Sequence, residues 1–286
     1  MIRVEVATPE TFEEALPLFE AFRNPPIPAA HWRRLFHYSW PSRERMRGFV
    51  LRDGPRVVGF FGTILYERLI DGRVEKFADL TSWVTLPEYR NHSLRLFEAV
   101  AGLHDRTLTC HTAIQSIHPL YRRFGFKELE SKWIVILPKL NPLRPDGWFR
   151  GRIITAPGQI LKKLDDREGA CVRELASDIC HPMLVTHRGR KCLMLFTRAK
   201  GRRFHFARIH HVSNREVFLA CLDHIRWRMA IVSRALLLAI DARLLDGHIP
   251  PGGRETPLAL VALYRSKTLR PGQIDNLYSE LTLLGL

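Results

Sequence analysis

The sequence predicts an α+β fold, a mixed and mostly antiparallel sheet with flanking helices. Three observations predict it. Short apolar or alternating runs recur along the whole chain, as strands do. Two gaps between such runs, Asp53-Gly54-Pro55 and Asp71-Gly72, are hairpin signals. Helical spacing is confined to brief segments such as Ser93 to Leu103, with Leu94, Phe97, Val100 and Ala101 on one face.

Taken in order, Ile2 to Ala7 alternates apolar and polar residues, the pattern of a half-buried strand. Thr8-Pro9-Glu10-Thr11 then offers a helix start, with Glu10, Glu13 and Glu14 at the positive end of the dipole. Phe12, Ala15, Leu16 and Phe19 form its apolar face. The prolines of Asn24-Pro25-Pro26-Ile27-Pro28 end it, because proline lacks the amide donor. A short helix near His31 to Tyr38 precedes three strands at Gly48–Asp53, Arg56–Tyr66 and Val74–Leu86. The helix Ser93–Leu103, a strand at Leu108–Ala113, a helix at Pro119–Phe124 and a strand at Glu128–Leu137 follow.

Pro138, Pro142, Pro145 and Gly147 mark a boundary. The expected division is a first domain at 1–140, a linker region at 141–180 and a second α+β lobe at 181–286. A helix interrupted by Pro157-Gly158 is expected at Ile153–Leu164. Strands follow at Met183–His187, Lys191–Arg198 and Phe204–Val212. A helix capped by Ser213 or Asn214 then runs to about Val232, before strands at Ala235–Asp241 and Leu258–Tyr264. The order of elements suits either a degenerate second copy of the first lobe or an unrelated α+β appendage; identity between the halves does not decide.

At 286 residues, with 46% apolar and 26% charged residues, the chain is globular in composition. The first six residues lack the apolar block of a signal peptide, and no apolar run reaches the ~18 residues of a membrane span, so a cytoplasmic location is expected. The five cysteines (Cys110, Cys171, Cys180, Cys192, Cys221) are scattered, with no zinc-type spacing and no metal expected. The net charge of +15 is unequally shared: +4 over residues 1–140 and +11 over 141–286.

The most informative stretch is Leu120-Tyr121-Arg122-Arg123-Phe124-Gly125-Phe126, a helix end, a glycine break and a strand start. Gly125 can take the positive φ that closes a helix, and Arg122 and Arg123 suit its negative end. Upstream, the run Leu80–Leu86 passes through Pro87-Glu88-Tyr89-Arg90 into the Ser93–Leu103 helix. Strand, turn, helix, strand, helix and Tyr-x-x-x-Gly-Phe in that order resemble the acyl-CoA-binding core of the GNAT (GCN5-related N-acetyltransferase) superfamily, over roughly residues 1–140.

The resemblance implies an acyltransferase that uses acetyl-CoA or another acyl-CoA as co-substrate. The pantetheine arm would add to the sheet edge at Val84, Thr85 and Leu86. The pyrophosphate would sit on the turn Arg90-Asn91-His92-Ser93-Leu94-Arg95, where peptide N–H groups converge at a helix start. Arg90 matches the family pattern, whereas Ser93 and Arg95 stand where small residues, mostly glycine, are usual. Tyr121 falls at the position of the general acid that protonates the departing thiolate. Asp79 lies near the position of a base, with His111 and His118 as other candidates.

No Gly-x-Ser-x-Gly elbow, phosphate-binding Gly-x-x-x-x-Gly-Lys or His-Glu-x-x-His is present, which leaves direct attack in a ternary complex. The acceptor would be a small molecule or polymer bearing an amine or hydroxyl. In the second half, His187 to Arg208 holds eight cations and no acid. That stretch suits an acidic acyl carrier protein or another anionic partner. Phe204 and Phe206 could stack on bases, but no nucleic-acid motif accompanies them, which ranks nucleic acid last. The opposing expectation is a non-catalytic module recruiting an acidic partner.

Overall fold

The computed structural model describes residues 1–20, 22, 27–137, 151–200 and 205–286. They form two compact units. The first gathers residues 1–129 with 260–273 and 278–284; the second gathers 130–259 with 274–277 and 285–286. The prolines at 25 and 26, and the boundary marked by Pro138, Pro142, Pro145 and Gly147, lie outside the described residues.

The first unit opens with β1 (Ile2–Ala7), α1 (Phe12–Phe19) and α2 (Ala29–Arg33). The strands β2 (Gly48–Asp53), β3 (Arg56–Ile70) and β4 (Arg73–Thr85) follow, then α3 (Ser93–Ala101), β5 (Thr107–Cys110) and α4 (His118–Arg123). β1 to β4 pair antiparallel in succession, and β5 runs parallel to β4. Both Asp-Gly signals are turns. Asp71 and Gly72 have φ of 49° and 79°, the double positive φ that matches the twist of a two-residue hairpin. The long strand β3 alternates between two cores. Phe60 packs with Phe19 and Phe36, while its neighbour Phe61 stacks on Trp83 on the other side.

In the second unit, β6 (Lys127–Ile136) precedes β7 (Arg152–Ile154), α5 (Pro157–Leu161) and α6 (Asp166–Leu175). The hairpin strands β8 (Cys180–His187), β9 (Arg190–Lys200) and β10 (His205–Val212) lead to α7 (Arg215–Ala220), α8 (Leu222–Ser233) and β11 (Leu237–Asp241). β7 to β10 pair antiparallel in succession, β11 runs parallel to β10, and β6 lies antiparallel to β11. The core holds Phe196, Phe218, Ile225 and Met229 among others.

Two elements differ from the sequence expectation. The expected linker at 141–180 carries β7, α5 and α6, and only residues 157–161 of the expected 153–164 helix are helical before Asp165 caps α6 by accepting from Glu168 N–H. The single helix expected after Asn214 is broken at Cys221 (φ −107°, ψ 11°) into α7 and α8. Asn214 is the cap, its side chain accepting from Val217 N–H at 3.2 Å.

The last strand, β12 (Gly253–Arg265), sends residues 263–265 antiparallel onto β5, and α9 (Glu280–Leu284) also belongs to the first unit. Each unit therefore repeats one order: four antiparallel strands, a parallel fifth and an antiparallel sixth. The sixth strands are exchanged along the chain. β6 follows β5 in sequence but joins the second unit, while the end of β12 follows β11 and joins the first. A linear cut between lobes does not anticipate this exchange.

Gly48 (φ 131°) opens β2, and a Cβ there would lie 2.2 Å from the Phe61 carbonyl oxygen. Gly54 (φ 57°) has open space around it. Gly48→Ala should cost more than about 3 kcal/mol in a urea unfolding curve, Gly54→Ala only about 1. Equal costs would remove the steric account of Gly48.

Candidate active site

β4 and β5 pair at Phe77↔Thr107, Ala78↔Leu108 and Asp79↔Thr109, and there the pairing stops. β4 continues alone on that side to Thr85. Its β3 side stays bonded, with Val84 opposite Phe60, Thr85 opposite Gly59, and Leu86 N–H donating to Val58 O at 2.9 Å. The parting begins beside a bulge. Ser82 takes φ 56°, and Ser82 and Trp83 together oppose the single residue Phe61, so the strand bends. Trp83 then lies flat on Phe61, ring centroids 5.1 Å apart at 6°. The result is an open backbone edge over Trp83 to Leu86, all half-buried.

That edge leads into a 3₁₀ turn, Pro87–His92, and then α3. Ser93 turns its hydroxyl back to donate to Arg90 O at 2.8 Å. Arg95 reaches sideways to the Ile2 carbonyl at 3.0 Å, which takes its guanidinium off the helix start. Arg90, Asn91 and Leu94 are exposed; His92 and Ser93 are half-buried. The residues fit an acyl-CoA: a free strand edge, an unblocked helix start and an exposed arginine in sequence. Thr85 Oγ1, buried without a hydrogen-bond partner, belongs to the same edge.

At the fork itself lies a buried polar cluster. Asp79 is fully buried and accepts from Thr109 Oγ1 at 2.7 Å and from Glu280 N–H at 3.0 Å. His111 Nε2 lies 3.4 Å from Asp79 Oδ1. Glu280, at the start of α9, accepts from Thr81 Oγ1 on β4 and from Thr112 Oγ1 just past β5, each at 2.5 Å. One carboxylate thus spans the two diverging strands. Burial, and then the neighbouring carboxyl of Glu280, push the Asp79 carboxyl well above its ordinary value.

Tyr121 on α4 is buried edge-on against Phe97 and Phe126, and its hydroxyl is 3.5 Å from Cys110 Sγ. Burial and then the Cys110 thiol hold the phenol well above its ordinary range, so it keeps its proton. Burial does the same to Cys110, which makes that thiol a poor nucleophile. His118 Nε2 lies 3.2 Å from Ala113 O, which fixes it at the start of α4.

Sequence reasoning placed Asp79, Tyr121 and the 84–95 segment in one unit but missed Glu280, Thr81, Thr109 and Thr112. A signal existed for Glu280: it is a lone acid inside the apolar run Leu277 to Leu284. Among the described residues, no group of three or more His, Cys, Asp or Glu could hold a metal. No helix among them is long and apolar enough to cross a membrane.

In the second unit, several cations of the basic stretch are engaged. Arg190 pairs with Glu216 at 2.5 Å, Lys191 donates to Lys163 O at 2.6 Å, and Arg208 lies over the Trp133 ring at 5.4 Å. Phe206 packs edge-on against Trp133 at 5.4 Å rather than standing ready to stack on a base. Gly201, Arg202, Arg203 and Phe204 lie outside the described residues.

A native carboxyl with a raised pKa binds its proton where the unfolded chain has released it. Stability from Asp79 is therefore full below about pH 3.8 and falls as pH rises toward the native value. Urea unfolding at pH values stepped upward from about 4 should show stability falling, a fall flattened in Asp79→Asn. Parallel profiles for the two proteins would contradict this.

No protein-family model matches the chain, and no curated protein matches it in sequence. Solved structures do match it in fold. A GCN5-related N-acetyltransferase from Anabaena variabilis aligns with a TM-score of 0.57 and 13% identity, over 93% of this chain and 72% of that one. Another from Kribbella flavida aligns at 0.57 and 14%, over 93% and 71%. Saccharomyces cerevisiae N-myristoyltransferase with bound myristoyl-CoA aligns at 0.55 and 7%, over 97% and 83%. Together with the forked β4–β5 pair and the bulge at Ser82, these likenesses establish that the chain has the fold of the GCN5-related N-acetyltransferases.

Proposed function

We propose that the protein is an acyltransferase that moves an acyl group from acyl-CoA to an amine or hydroxyl by direct attack. The observation that carries this reading is the parting of β4 from β5 beyond Asp79 and Thr109. It leaves a backbone edge that leads directly to a helix start. Pantetheine would lie along Trp83 to Leu86 as an added strand. The pyrophosphate would meet the N–H groups between Asn91 and Arg95, with Arg90 as counter-charge. A neighbour of the same fold holds myristoyl-CoA, which supports the donor class.

In the reaction, the acceptor nitrogen or oxygen attacks the thioester carbon and the carbon–sulfur bond breaks. The acceptor's proton passes to the carboxyl pair at the fork, where the partner of Asp79 takes it because the Asp79 carboxyl, raised by burial, holds its own. The departing thiolate takes a proton from Tyr121, whose raised phenol is protonated at neutral pH. Holding both partners in one cleft supplies most of the acceleration, because no covalent intermediate is needed.

A second reading, a non-catalytic module of the same fold, is favoured by one observation: the Tyr121 hydroxyl is buried and directed at Cys110. Thiol release from acetyl-, butyryl- and myristoyl-CoA with a small-amine panel separates the two. The transferase reading expects turnover with at least one ester. Tyr121→Phe should lower kcat about 100-fold with KM for the ester unchanged. Arg90→Glu should raise that KM about tenfold with kcat preserved. Absence of both turnover and thermal shift with every ester would leave the module.

A further inference from the structure

α8 carries apolar residues on two faces. Leu222, Ile225 and Met229 are buried in the core of the second unit. The opposite side presents Trp227, Ile231 and Val232, and Leu236 continues it just past the helix; these four are between 42% and 58% exposed. At 100° per residue, Trp227, Ile231, Arg228 and Val232 fall on one contiguous arc. Arg228 lies within that arc, and Arg234, exposed at the left-handed helix end, borders it. No acid occurs between Asp223 and Asp241, and Asp223 is engaged by Arg226 at 3.0 Å. The apolar surface continues from Val232 into a cavity of about 620 Å³ that also has Leu161 and Phe196 in its walls.

We infer that this face of α8 docks on an anionic lipid bilayer. Trp227, Ile231 and Val232 share one arc of α8 with Leu236 following in the chain, and exposed apolar patches mark interaction sites. Aromatic and aliphatic anchors interleaved with arginines, in a segment without acids between Asp223 and Asp241, match the two fields of a bilayer: an apolar interior and a negative headgroup layer. Trp227 would sit at headgroup level, with Ile231 and Leu236 below it and both arginines against the phosphates.

The test is flotation of the full chain with vesicles of phosphatidylcholine alone or with about 30 mol% phosphatidylserine, a strongly anionic composition. The chain should float with the anionic vesicles only, and 0.5 M salt should weaken binding, the Debye length then being only a few Å. Ile231→Glu, an exposed site whose change leaves the core intact, should lower partition by about tenfold or more. Arg228→Gln should lower it about fivefold. Thermal melts by circular dichroism check that both variants fold. Equal partition onto neutral vesicles, or undiminished flotation of Ile231→Glu, would overturn the proposal. So would a concentration-dependent dimer in light scattering that Ile231→Glu abolishes, or binding of single-stranded RNA through the same arginines.

Discussion

Two strands that run side by side gain most from pairing to their ends, so a fork between them must be held open. Here β4 and β5 separate beyond Asp79 and Thr109, and a single side chain bridges the gap. Glu280 takes a hydroxyl from each strand, Thr81 on one and Thr112 beside the other, while its own N–H is accepted by Asp79. The bulge at Ser82 supplies the bend on the β4 side. Remove the wedge and the strands lose the side chain that bridges them, and the open edge at which acyl-CoA binding is proposed would be at risk. The fork is thus a polar device set in an apolar core, and its cost in desolvation falls on Asp79.

The same wedge links stability to chemistry. Two carboxyl groups close together in a dry environment do not both ionise readily, so a proton is retained between them. In the proposed reaction, such a pair would take up the acceptor's proton. In the same proposal Tyr121, whose hydroxyl lies 3.5 Å from Cys110 Sγ and holds its proton tightly, would protonate the departing thiolate.

Local chemistry was legible in the sequence wherever it was decided within a few residues. The Asp-Gly turns at 53–54 and 71–72, the Asn214 cap and the glycine break at 125 all have short-range causes. The bulge was not legible, because a serine rather than a glycine takes the positive φ at 82. Cys221 carried no sign that it would break the expected helix, since its neighbours on both sides are good helix formers. Glu280 was out of reach for a different reason. Its partners are up to 201 positions away, and the periodicity of its run says only that it is buried. Arg95, conspicuous as an obstacle in the turn, is neutralised by a carbonyl at the start of the chain, another pairing with no local trace.

The exchanged sixth strands bear on how the chain is made. As the polypeptide emerges, β1 to β5 can assemble early, yet the partner that seals the flank of β5 is not synthesised until residues 260–265. During that interval β5 presents raw amide and carbonyl groups, the kind of flank that recruits stray strands. A nascent chain of this architecture therefore depends on something to shield that flank, whether a chaperone or its own polar neighbours, until translation is almost finished.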